Sequence, residues 1–184
     1  MKFEANTGQQ IASNENHAIT LFELNDVVYQ NDGSEVRASH AKTGRLIWQQ
    51  NQPFENFTYT DDALIIKTNT DLGAVKAIDV LFGEILWEQV CVISNIAASN
   101  GTVFLITIES ENGFCWGSDP MADASLLAID EKTGKVITTL GFAPSEVQSN
   151  SGQSSYNVVA SNDNILVYFD DTKQLFVLRF IGDS

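Results

Sequence analysis

Basic residues are scarce in this chain. Ten Lys and Arg stand against 24 Asp and Glu in 184 residues, a net charge of −14. Proteins hold nucleic acid through Lys and Arg contacts to phosphate, so this composition argues against a nucleic-acid partner. The same shortage argues against an anionic membrane surface. Cysteine is nearly missing: Cys91 and Cys115 are too few for a disulfide framework. They lack the CxxC spacing or neighbouring His of a zinc site, and Cys91 reads as a buried, reduced thiol. No apolar run approaches the roughly 20 residues that cross a bilayer as a helix. Residues 1–6 have no apolar segment after Lys2 and do not read as a secretory signal. The compartment therefore stays open: cytoplasmic, or periplasmic or extracellular if a leader has been removed. Amphipathic helix patterning is missing too, since no segment sustains apolar residues at i, i+3, i+4 and i+7.

What is present is core material. Hydrophobic residues make up 43% of the chain, with eleven Phe and four Tyr, enough to build a packed interior. Self-similarity is the main signal. A turn ending in Gly recurs, preceded by apolar alternation and followed by a second apolar stretch. Its copies are Glu4 to Ala12, His40 to Trp48, Asp79 to Trp87 and Asp130 to Thr138. The Gly (Gly8, Gly44, Gly83, Gly134) lies four residues after the polar position, and Trp48 and Trp87 lie eight after it. Successive glycines are 36, 39 and 51 residues apart.

Between these turns lie short β-branched and aromatic runs. Val27-Val28-Tyr29, Leu64-Ile65-Ile66 and Ile165-Leu166-Val167-Tyr168 each lead into a turn rich in Asn or Asp, and Val103-Phe104-Leu105-Ile106 leads into a long polar segment. That spacing predicts an all-β fold. A period near 40 with about four strands per unit is the arithmetic of a β-propeller blade.

The patterns Ala77-Ile78-Asp79-x-x-x-Gly83-x-x-x-Trp87 and Ala128-Ile129-Asp130-x-x-Thr133-Gly134-Lys135 resemble the repeat of pyrroloquinoline-quinone-like β-propellers. In that family the repeat runs leu-tyr-ala-leu-asp-x-x-thr-gly-lys-x-x-trp. The resemblance extends over essentially the whole chain, with the first and last copies degenerate. It implies that Trp48 and Trp87 are docking tryptophans, whereas Ala12 and Thr138 depart from the pattern. Physical reasons accompany the motif. Glycine takes positive φ at a hairpin without steric cost. A Thr or Asp before it can bond local backbone N–H groups. A Trp covers a large apolar area. Asp79 and Asp130 are accordingly read as turn residues and not as catalytic acids.

Phased from inner to outer strand, the chain reads as a single β-propeller domain over 1–184. Blade 1 covers about 17–50, blade 2 about 55–90 and blade 3 about 92–140. Blade 4 covers about 155–180 and lacks an outer strand, which the N-terminal strand 9–13 would supply. Completing a blade in this way also protects an open edge. Three geometries satisfy the pattern: four blades closed within one chain, two chains exchanging the strand in an eight-bladed homodimeric ring, or a segment of a longer propeller.

In a propeller the B–C and D–A loops emerge on one face. Two departures from the period fall there, 110–123 and 141–153. Loops carry function more often than scaffolds do. Phe114, Trp116 and Met121 are residue types enriched at interface centres, and with Asp119 they form the candidate partner-binding set. The competing reading is that these aromatics fold back to cap the blade.

No catalytic constellation stands out. His17 and His40 sit at a strand start and a turn, not in a triad pattern. Asn31 to Glu35, Asp61-Asp62 and Asp170-Asp171 read as solvated acidic turns, not as a metal site. Quinone-dependent members of the resembled family carry adjacent cysteines and an Asp, Glu and Asn set around calcium. Here the cysteines are 24 positions apart and nothing marks such a set. The expectation is a non-enzymatic scaffold with no cofactor, no metal and an unidentified protein partner. That matches the family's non-catalytic branch, which includes outer-membrane assembly lipoproteins. The alternative is a small-molecule or carbohydrate site at the ring mouth.

Overall fold

A computed structural model describes residues 2–3, 10–12, 18–68, 73–109, 123–142, 156–162, 164–169 and 173–179. Seventeen strands and no helix occur among them. The chain divides into two compact units, Met1–Gln52 and Pro53–Ser184.

The first unit contains blade 1, an antiparallel sheet in the order β3-β4-β5-β6. Its strands are β3 (Ile19–Leu24), β4 (Val27–Asn31), β5 (Val36–His40) and β6 (Leu46–Gln50). One face is apolar. Tyr29, Val36, Ala38 and Trp48 are buried there, and Phe22 stacks on Tyr29 with ring centroids 4.4 Å apart. The other face is polar, because Gln30 pairs with Arg37 and Arg37 with Gln49. Arg37 forms ion pairs with Asp32 and Glu35.

Two short strands, β1 (Lys2–Phe3) and β2 (Gln10–Ala12), pair with each other in the same unit. The expected closure of blade 4 by residues 9–13 concerns the relation between the two units and stays a proposal.

The second unit holds three sheets. Blade 2 has the order β7-β8-β9-β10, built from Phe54–Tyr59, Ala63–Thr68, Val75–Asp79 and Ile85–Gln89. Blade 3 has the order β11-β12-β13-β14, built from Ala97–Ser99, Thr102–Glu109, Asp123–Asp130 and Val136–Phe142. Blade 4 is the three-stranded sheet β15-β16-β17, from Tyr156–Ser161, Asn164–Phe169 and Gln174–Arg179.

The run Val103-Phe104-Leu105-Ile106 is apolar at every position because both faces of β12 are covered. Val103 and Leu105 pack with Ala63, Ile65, Val75 and Ala77 of blade 2. Phe104 and Ile106 pack the other way, with Val158, Ile165, Val167 and Phe169 of blade 4.

Among the described residues of the second unit, blade 4 is covered on one face. Val159 pairs with Leu166 and Leu166 with Val177, placing all three on the other face. They are 54%, 38% and 67% exposed.

The inner strand of blade 3 is short, Ala97–Ser99. Ahead of it the pairing with β12 continues irregularly: Val92 bridges Thr107, and the Ile93 N–H bonds the Ile106 carbonyl at 2.9 Å. Ser94 Oγ accepts the Ile106 N–H at 2.8 Å. The Asn95 amide donates to the Val158 carbonyl at 3.1 Å and accepts the Val158 N–H at 2.7 Å.

Candidate partner-binding surface

The candidate residues Phe114, Trp116, Asp119 and Met121 lie outside the described residues, as do Gly8, His17 and most of 141–153. What is described is the stem that carries the first loop. β12 and β13 are eight residues each, longer than the strands of blade 2, and their ladder runs to the Glu109–Asp123 pair. Below this stem sits Cys91, whose carbonyl accepts the Ile108 N–H at 3.1 Å. Cys91 is half-buried and disulfide-bonded, not the buried, reduced thiol expected from sequence. The chain's other cysteine is Cys115. Sequence distance hid the pairing: a disulfide requires two Cα atoms within about 7 Å. In the fold Cys91 lies beside the end of β12, where the loop departs.

The turns between third and fourth strands share one construction. The glycine N–H bonds the carbonyl four residues earlier: Gly44 to His40 at 2.8 Å, Gly83 to Asp79 at 2.9 Å and Gly134 to Asp130 at 3.0 Å. The three glycines have φ of 67°, 72° and 70°, where a side chain is strained. Asp79 Oδ1 accepts the N–H groups of Leu81 and Phe82 at 2.8 and 2.9 Å. Asp130 Oδ1 accepts those of Lys132 and Thr133, and the Thr133 hydroxyl at 2.7 Å. That hydroxyl, with the backbone N–H beside it, holds the Asp130 carboxyl below its usual range. In blade 1, His40 Nδ1 takes the Lys42 N–H at 3.2 Å and stands in for the Asp.

Trp87 joins blades 2 and 3. Its indole N–H donates to the Glu131 carbonyl at 2.7 Å. A Cβ added to Gly134 would lie 2.6 Å from Trp87 Cβ and Cγ, so this glycine also makes room for the indole. Trp48 is buried against Tyr29, with ring centroids 5.9 Å apart.

Next to Trp87 lies a small polar cluster. Lys132 pairs with Asp62 at 2.8 Å. Glu131 is 6% exposed, and its Oε2 has no hydrogen-bond partner. Burial pushes its carboxyl above the usual range, and the Thr60 hydroxyl only partly offsets this. Glu131 was not singled out from sequence, because a Glu in a turn reads as solvated. Ser94 and Asn95 were likewise missed; their one signal is a polar pair between Ile93 and Ile96. Among the described residues no three His, Cys, Asp or Glu side chains gather in a metal-binding arrangement.

No protein-family profile and no curated protein matches the sequence. Solved structures do. BamB from Moraxella catarrhalis aligns over 86% of this chain at 15% identity, with a TM-score of 0.58. Hsv2 from Kluyvelomyces marxianus aligns over 99% at 10% identity, with a TM-score of 0.59. The quinohemoprotein alcohol dehydrogenase ADHIIG from Pseudomonas putida HK5 aligns over 85% at 14% identity, with a TM-score of 0.52. The chain spans 42%, 53% and 33% of their respective lengths. Four-stranded antiparallel sheets, no helix among the described residues and these likenesses together establish the class: the chain has an all-β fold of the β-propeller type.

Proposed function

We propose that this chain is a non-catalytic propeller scaffold of the pyrroloquinoline-quinone-like type. It binds a protein partner through the face carrying the 110–123 and 141–153 loops. One observation supports the reading above others: Cys91 is disulfide-bonded at the foot of the long β12–β13 stem, and Cys115 stands between Phe114 and Trp116. A loop tied to its scaffold loses less entropy on binding than a free one. The disulfide also favours an oxidising compartment.

Trp116→Ala tests the proposal. Cross-linked capture of a protein from the source organism's extract is expected to fall while the melting temperature stays put. A large loss of stability would place Trp116 in the core instead. The alternative, a small-molecule or carbohydrate site at the ring mouth, requires converging polar groups in a concave pocket. A thermal-shift response to sugars that survives Trp116→Ala would favour it.

A second copy of the chain is the reading that the bare apolar face of blade 4 favours, through a homodimeric ring. Light scattering separates the two states: 20.2 kDa excludes the dimer and twice that value supports it.

A further inference from the structure

The three equivalent turns form an internal comparison. Their backbone hydrogen bonds and glycine φ values agree, so the fold imposes the same demands at each. The two tip residues are Lys42-Thr43 in blade 1 and Lys132-Thr133 in blade 3. In blade 3 both have local work, since Lys132 pairs with Asp62 and Thr133 bonds Asp130. In blade 2 the tip is Leu81-Phe82, exposed by 60% and 70%. Turn geometry does not explain them, because polar residues build the same turn twice. Core packing does not explain them either, because they stand in solvent. Two adjacent large apolar side chains at an ordered tip are of the kind that anchors protein contacts.

The surroundings define the occupant. The neighbouring turn of blade 2 touches this one, with the Val80 N–H bonded to the Asp62 carbonyl at 3.2 Å. It carries Asp61 and Asp62, both exposed, and follows Tyr59, which is 47% exposed. Glu84 follows the tip and is exposed, as is Ile85 at 45%. Lys132, on the adjoining turn, is held by Asp62. An apolar tip rimmed by carboxylates complements a segment that alternates apolar with Lys or Arg side chains. The ion pair between Lys132 and Asp62 puts this tip at the same end as the Asp130 turn. That is the end of β12 and β13 away from the 110–123 loop.

We infer that Leu81 and Phe82 form a second docking site, at the end of the blades opposite the long loops, for a basic, apolar polypeptide segment. The site does not depend on the loop reading above, and either can fail alone. A phage-displayed library of random linear peptides, panned on the whole protein, is the probe. Enriched sequences are expected to combine aromatic or aliphatic residues with Lys and Arg.

The best peptide is then measured by fluorescence anisotropy against two variants. The double variant L81K/F82T installs the residue types that the equivalent turns already carry, so folding is expected to be preserved. Its dissociation constant is expected to rise by at least about tenfold, as for loss of a contact hot spot. Glu84→Lys is expected to weaken binding as well, and added salt to weaken the wild type.

Several results would overturn the inference. Peptides that bind wild type and L81K/F82T equally would do so, as would enrichment of acidic sequences. Binding abolished by Trp116→Ala but not by L81K/F82T would assign the peptide to the loop face. A mass of twice 20.2 kDa that halves in L81K/F82T would make the occupant a second copy. Binding to anionic phosphatidylserine vesicles that L81K/F82T abolishes would make it a membrane. A lower melting temperature in L81K/F82T would make the pair structural.

Discussion

The seam between blades 2 and 3 and the outer face of blade 4 are built from the same kind of strand and end in opposite states. Along the seam, Ala63, Ile65, Val103 and Leu105 are fully buried, and Trp87 is locked to the facing turn by its indole N–H. On the outer face of blade 4, Val159, Leu166 and Val177 form an equally apolar row that is open to solvent. The difference teaches that an apolar alternation marks a surface fit to be covered, not one that is covered. It also shows polar groups linking blades within this interior, as Asn95 and the Trp87 indole do.

Trp87→Ala strikes the seam hardest. It removes the indole, strands the Glu131 carbonyl and leaves space above Gly134. The expected loss is about 3–5 kcal/mol, read from urea unfolding. A loss below about 1 kcal/mol, the scale of an ordinary substitution, would mean that blades 2 and 3 do not depend on this docking.

Glu131→Gln sharpens the contrast in the other direction. The Glu131 carboxyl is shifted upward by burial, so folding favours its protonated form. Its contribution to stability is complete below the unfolded carboxylate value and is lost as pH rises through the raised folded value. At neutral pH the ionised group is a liability. The variant is therefore expected to melt higher than wild type at pH 7, by a gain of about 1 kcal/mol. That gain should shrink toward zero as pH falls below about 4. Thermal melts of both proteins across pH check this, and a constant difference would refute it.

Val177→Ala is the smallest expected effect. In dilute protein it should change stability by no more than about 0.5 kcal/mol, as exposed positions do. A loss of several times that amount would show that the outer face of blade 4 is covered in solution.

Much of the fold was legible because strands and turns are local. Ile165 to Phe169 alternates for a sheet, and Gly83 and Gly134 stand where a hairpin needs positive φ. The four strands of blade 1 fall within the expected 17–50 and those of blade 2 begin one residue before the expected 55–90. Nothing local shows that Asn95 reaches across to blade 4. Closure by residues 9–13 was argued from a count of strands and stays a proposal. The Phe114, Trp116, Asp119 and Met121 set remains a proposal resting on residue type and loop length.

The sequence by itself determined the blade: period, turn chemistry and alternation are short-range properties that each repeat carries whole. Tertiary structure alone decided which faces are dry, that Cys91 is bonded, that Glu131 is buried with a raised carboxyl, and that Leu81 and Phe82 stand in solvent beside carboxylates. The reason is physical. Burial, charge proximity and covalent pairing depend on which segments meet, and segments distant in sequence meet only when the chain has folded.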